Sequence, residues 1–161
     1  MAVEPFVLHR TEVSSEWIDY NGHANFAYYM LAFDDACDRL MDYFGLGESY
    51  RTANNRTMYM LEAHVTYARE VKLGDPLAIE TQLIGFDRKR IHFFQRMCHA
   101  EQGYPTATAE FMVLHVDVAG PRAVEMPEES LAIMERLLAE HRQWPRPPEL
   151  GRQISLERRK A

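Results

Sequence analysis

The stretch Asn25–Gly45, NFAYYMLAFDDACDRLMDYFG, carries the clearest periodic signal in the chain. Phe26, Tyr29, Met30, Phe33, Ala36, Cys37, Leu40, Met41 and Phe44 recur at spacings of three and four. That is the period of an α-helix with a wide apolar stripe. Asp34, Asp35, Asp38 and Asp42 take the remaining face, and Gly45 and Gly47 supply the stop signal. One helix cannot bury so broad a stripe by itself, so another element must cover it.

Working outward, the flanking sequence supplies strands. Residues 6–13 (FVLHRTEV) read as a first strand, followed by the polar, turn-forming SSEWIDYNGH. Beyond the helix, residues 57–71 favour a long strand. There Tyr59, Leu61, Ala63, Val65, Tyr67 and Val71 share one parity and so one predicted sheet face. After the turn LGDP come LAIETQLIGF, KRIHFFQRMCHA and TATAEFMVLHVDV, three strands joined through GFDRK and EQGYP. PEESLAIMERLLAEH opens with proline and an acidic first turn, which suits a short C-terminal helix. The order is strand, long helix, four antiparallel strands, short helix. It predicts an α+β domain over residues 1–143, a five-stranded antiparallel sheet wrapped round the long helix. Residues 144–161 form a Pro/Arg-rich tail, expected as a surface strap or frayed end. No internal repeat or linker interrupts the chain.

The bulk numbers fit this reading. At 161 residues and 47% hydrophobic content the chain suits one packed core. Lys plus Arg is 18 and Asp plus Glu is 24, a net charge of −6 that argues against general nucleic-acid binding. Cys37 and Cys98 fit no CxxC pattern and read as reduced core residues of a cytoplasmic protein. MAVEPFVLHR is too short and broken an apolar stretch for a signal peptide, and no run of about 18 apolar residues predicts a membrane span.

The segment Trp17–Asn25, WIDYNGHAN, crowds Asp19, Asn21, His23 and Asn25 around Gly22 where the helix begins. A helix start offers unpaired N–H groups and partial positive charge, which can stabilise an oxyanion. Gly22 lets backbone approach a ligand, and Asp19 can serve as nucleophile or as general base on water. The same residue types are also common in turns and as helix caps.

IDYNGHANFAYYMLAFDDA followed by LEAHVTYAREVKLGDPL resembles the 4-hydroxybenzoyl-CoA thioesterase branch of the hotdog superfamily. There a D-x-x-G-H or D-x-x-G-G loop precedes the central helix, and R-x-x-x-x-G-D follows it; Arg69, Gly74 and Asp75 match the second signature. WIDYNGHANFAYYMLAFD, LEAHVTYAREVKLGDPL and ATAEFMVLHVD bring the chain nearest, within that superfamily, to betainyl-CoA thioesterases, which also occur fused to carnitine dehydrogenase. The chain has no GxGxxG segment of its own. The resemblance implies an acyl-CoA thioesterase that needs no metal or redox cofactor, coenzyme A being part of the substrate. It implies Asp19 as the catalytic carboxylate and the N–H groups of Gly22 and His23 as the carbonyl-polarising pair. The family also has a second arrangement in which the working carboxylate sits elsewhere; Glu62 is the candidate for that role, orienting water, and also reads as a solvent-side or interface charge on a strand. Asn21 and Asn25 depart from the small or aromatic residues of other branches, which leaves them as substrate contacts or caps.

A trimethylammonium acyl group would be held by aromatic faces. Trp17, Tyr20 and Tyr28 break the helical period and are the expected cage, whereas Phe26, Tyr29, Phe33 and Phe44 follow it and are expected in the core. For the phosphates of CoA the expected cations are Arg88, Lys89 and Arg90 in a hairpin, with Arg69 and Lys72 as a second group. In the family that hairpin reaches CoA across a subunit boundary, which implies a homodimer or homotetramer; pairing would also cover an exposed strand edge.

Other chemistry is less well supported. Seven histidines form no HxxxH motif, and no GxSxG or P-loop occurs. His23 as a general base would suit a hotdog hydratase or dehydratase, but alanine and asparagine follow it here. A non-catalytic acyl-CoA-sensing module would normally carry a DNA-binding region, and none is visible.

Overall fold

In the computed structural model, which describes residues 5–157, the helical period becomes α1 (Phe26–Tyr43). The Asn25 side chain caps its start, accepting the Ala27 N–H at 3.0 Å. Its end is a glycine cap: Gly45 sits at φ 72° and the Leu46 N–H donates to the Met41 carbonyl at 2.8 Å.

The strands are β1 (Val7–Glu12), β2 (Arg56–Tyr67), β3 (Pro76–Phe86), β4 (Arg90–His99), β5 (Pro105–Asp117) and the two-residue β6 (Arg122–Ala123). They form one antiparallel sheet in the order β1-β3-β4-β5-β2, with β6 paired to β5. The first two strands therefore lie at opposite edges, and the chain crosses between them through α1 and a short helix α2 (Glu48–Asn54). The antiparallel sheet wrapped round a long helix that the pattern predicts is observed, and it is the hotdog fold that the resemblance implies. α2 and β6 are additions. No residue of α2 is buried, so it has no apolar stripe to announce it; the Tyr50 hydroxyl docks it on His115 Nε2 at 3.0 Å.

The α1 stripe packs on the inner face of the sheet. Phe33, Leu40 and Phe44 share one buried cluster with Leu83, Ile91, Phe93, Met97 and Phe111. Phe33 and Phe93 meet the Phe111 ring edge-on and tilted, at 6.3 and 5.2 Å. Each such fully buried side chain contributes about 1.5–3 kcal/mol. Ala32, Ala36, Ala107 and Ala109 in the same cluster keep the layer thin. Cys37 and Cys98 are unpaired and buried, and burial pushes both thiols up. α3 (Glu128–His141) adds Leu131, Met134, Leu137 and Leu138 to the core.

Two details differ from the sequence expectation. β2 stops at Tyr67, because the N–H groups of Ala68 and Arg69 both turn to the Thr106 carbonyl at 2.9 and 3.1 Å. The single parity of Tyr59 to Val71 also fails. Met60 pairs with Val113 but Glu62 with Met112, so Leu61 is a bulge and the alternation inverts there. Ala63, Val65 and Tyr67 sit opposite the inward residues of β5, whereas Tyr59 and Glu62 lie on the outer face.

The segment after α3 runs as a strap over that outer face. The Trp144 ring lies against the His141 ring at 4.0 Å, Leu150 is buried, and the Gly151 N–H donates to Glu110 at 2.6 Å. Between these anchors it roofs a cavity of about 460 Å³ floored by Phe94 and the Glu80–Arg96 ion pair. Among the described residues no helix is long and apolar enough to cross a membrane.

Candidate active site

The loop that enters α1 is a small closed turn. Ile18 and Ala24 form an isolated antiparallel bridge, and the Asp19 N–H donates to the His23 carbonyl at 3.0 Å. Inside it the Gly22 N–H donates to the Asp19 carbonyl at 3.0 Å, and the Asn21 N–H donates to Asp19 Oδ1 at 2.8 Å. Gly22 takes φ 79°, a left-handed conformation that costs other residues energy.

The turn is stitched to the chain just past β2. The Ala24 N–H donates to the Val71 carbonyl at 3.0 Å, and the Val71 N–H donates to the Tyr29 hydroxyl at 3.2 Å. His23 Nε2 lies 3.3 Å from Glu70 Oε1. Burial pushes the Tyr29 hydroxyl up, so it stays protonated.

The consequence is a carboxylate with one oxygen held and one available. Among the described residues Asp19 Oδ2 has no hydrogen-bond partner, and the His23 N–H has no acceptor. The Gly22 N–H, by contrast, is used within the turn, and Asn25 spends its side-chain oxygen on the helix cap. Beside the loop opens a cleft of about 540 Å³ between Ala24, Phe26, Tyr29, Tyr67 and Glu70.

The other expected site residues are dispersed. Trp17 is buried and stacks on Tyr28 at 5.8 Å with the planes 14° apart. Tyr20 is 98% exposed at the turn tip, and Asn21 is exposed beside it. The three expected aromatics therefore do not enclose one space. The Arg69 guanidinium covers the Tyr104 ring at 3.9 Å from its centroid. Glu62 lies exposed at the sheet edge, on the face away from α1.

Arg88, Lys89 and Arg90 follow the far end of β3, whose 11 residues put them roughly 35 Å from the loop end of the sheet. Arg88 pairs with Glu125 and Glu128, and Arg90 with Asp87, while the Lys89 side chain has no partner among the described residues. The sequence reading did not find Glu70, and it put Phe26 in the core. Phe26 keeps the helical period, yet at the first helical position it packs against the end of β2, at Tyr67, and is 67% exposed.

A curled antiparallel sheet round one long helix, with a half-satisfied carboxylate in the turn at that helix's start, is a hotdog fold. Residues 13–137 match the family described as the thioesterase-like superfamily. The chain belongs to that family, and it is an acyl-CoA thioesterase, releasing CoA and a carboxylate.

A betainyl-CoA thioesterase of Pseudomonas aeruginosa is 40% identical over 92% of this chain and 93% of its own length. The L-carnitine dehydrogenase/betainyl-CoA thioesterase of Rhizobium meliloti is 36% identical over 96% of this chain, which spans 31% of that longer protein. Among solved structures, the Staphylococcus aureus protein SAV2348 in complex with CoA superposes with a TM-score of 0.89 at 28% identity, covering 98% of this chain and 99% of that one. A Pseudomonas putida KT2440 protein put forward as a thioesterase gives 0.84 at 34% identity, covering 98% and 100%.

Proposed function

We propose that this protein hydrolyses betainyl-CoA to betaine and free CoA, with Asp19 as the group that delivers water. The observation that carries the reading is the asymmetric Asp19 carboxylate. Its Oδ1 is fixed by the Asn21 N–H at 2.8 Å, which leaves Oδ2 to take a proton from water beside the start of α1. Water attacks the thioester carbonyl as Asp19 takes its proton, and the oxyanion accepts the His23 N–H. As the tetrahedral adduct collapses the C–S bond breaks and Asp19 returns that proton to the sulfur, so that CoA leaves as the thiol. Gly22 shapes the turn that aims these groups. Attack by Oδ2 itself is the second route, and a single turnover in ¹⁸O-water separates them by labelling the Asp19 carboxylate only in that case. The betainyl group is inferred from the Pseudomonas aeruginosa relative.

The phosphates of CoA fall to the 87–90 hairpin of a second copy. Hairpin and Arg56 lie at the same end of the sheet, since Arg56 pairs with Asp117 and Arg90 with Leu114. Two β2 edges paired antiparallel about a two-fold axis would carry the partner's hairpin to the Tyr67 end, where Asp19 lies. The exposed Tyr59, Met60 and Leu61 supply an apolar edge for that pairing. The assembly is then a homodimer, or a homotetramer of two such dimers. Its buried, unpaired thiols suit the reducing cytoplasm.

The test is thiol release across a panel of acyl-CoAs that includes betainyl-CoA, with Asp19→Asn as the control. Release from betainyl-CoA that disappears in the variant is expected. Release that survives in Asp19→Asn overturns the site, and indifference to betainyl-CoA overturns the substrate.

A further inference from the structure

We propose that Phe26, Tyr67 and Glu70 are the specificity-determining residues that receive the trimethylammonium group of the substrate, an assignment that rests on the betainyl reading above. In a betainyl thioester one methylene separates the reacting carbonyl carbon from the quaternary nitrogen. The two atoms lie roughly 2.5 Å apart, as the same atoms do across a peptide Cα. The cation is thereby tied to the carbonyl, and its receptor must border the Asp19 turn.

That requirement removes the acidic face of α1 from contention. Asp38 is 12 residues beyond Phe26, roughly 18 Å along the helix axis. Trp17 and Tyr28 stack on each other, and Tyr20 projects into solvent, so these rings form no shared enclosure.

The cleft beside the turn has the needed composition. The Phe26 and Tyr67 rings meet at 83° with centroids 6.4 Å apart, and Tyr67 meets Tyr29 at 89° and 5.3 Å. Phe26 and Tyr67 are 67% and 50% exposed, so both rings keep surface open to the cleft. The Tyr67 hydroxyl donates to the Phe26 carbonyl at 3.3 Å, which fixes the corner between strand and helix. Tyr29 forms the buried wall.

Charge completes the site. Glu70 lines the cleft and is linked to the turn through His23 at 3.3 Å, so a carboxylate stands beside the rings. Among the described residues the one cation lining this cleft, Arg69, is drawn onto the Tyr104 ring at 3.9 Å from its centroid. Two partly exposed aromatic rings and a carboxylate lining one cleft suit a charge that offers no hydrogen-bond donor.

The experiment compares kcat/KM for betainyl-CoA with that for 3,3-dimethylbutanoyl-CoA, the neutral isostere with carbon in place of nitrogen. The native protein favours the cation. Phe26→Leu and Tyr67→Leu should each lower that preference at least 10-fold, through KM for betainyl-CoA, and Glu70→Gln should lower it as well. Tyr67→Phe keeps the ring and should keep the preference. A native preference unchanged in folded Phe26→Leu and Tyr67→Leu overturns the cage while sparing the substrate. A native protein indifferent to the charge overturns the substrate reading, and the cage with it. Product inhibition of the native protein tests the same point without any variant: betaine should inhibit more strongly than 3,3-dimethylbutanoate, and equal inhibition counts against the cage.

Discussion

Asp19 Oδ1 accepts the backbone N–H of Asn21 at 2.8 Å, so the side chain proposed for chemistry also closes the turn that holds it. Asp19→Asn separates the two roles. The amide oxygen can still accept that N–H, but it cannot take a proton from water. We expect kcat/KM to fall about 10²–10⁴-fold. The melting temperature should move little. A variant that unfolds several degrees early would make Asp19 chiefly a structural residue.

Gly22 stands at φ 79° with open space where a Cβ would go. Gly22→Ala therefore meets no clash and carries only the backbone cost, about 1–2 kcal/mol. That is roughly 2–8 °C in Tm for a chain of this size. Because the same turn aims Asp19, activity measured well below Tm should fall too. Native activity with a lowered Tm would detach the turn's shape from catalysis.

His141 is a built-in acid sensor of stability. Its Nδ1 accepts the Leu83 N–H at 2.8 Å, and burial pushes the imidazole down to about 4 from its ordinary 6.5. A proton on Nδ1 would face a donor. The native ring stays neutral where the unfolded chain has already bound a proton. Its contribution is thus intact above about pH 6.5 and is lost as pH falls towards 4, a total on the order of 3 kcal/mol. Burial lowers His115 as well, which adds slope of the same sign. Chemical denaturation from pH 7.5 to 4 should show a shallower acid loss in His141→Gln, whose oxygen can accept the same N–H. Identical acid slopes would exclude His141 as a source.

The 87–90 hairpin offers one uncommitted side chain. Arg88 and Arg90 are tied to acidic neighbours, whereas the Lys89 side chain has no partner among the described residues. Lys89→Ala should raise KM for acyl-CoA about 3–10-fold at low salt, more than it lowers kcat. The difference should shrink at 0.5 M salt. A KM equal to the native value at low salt would remove Lys89 from the phosphate site.

Element type and order were legible because they are local. The three-and-four spacing from Phe26 to Phe44 fixed α1, and alternation with turn residues fixed the strands. α2 was illegible because it buries no residue. The Asp19 turn was legible as a polar, turn-forming segment before a helix and as the loop the resemblance implies, whereas its closure through the Ile18–Ala24 bridge and the Asp19 N–H to His23 carbonyl bond was not.

Residue chemistry and spacing alone determined a helix wrapped in an antiparallel sheet, with a carboxylate at the helix start. Only the tertiary structure decided which side chains meet there. One extra residue at Leu61 inverts the face of everything beyond it in β2, placing Tyr67 with Phe26 while Glu62 lies on the outer face. Such a register is set by pairing with β5, some fifty residues away in sequence, which no local pattern encodes.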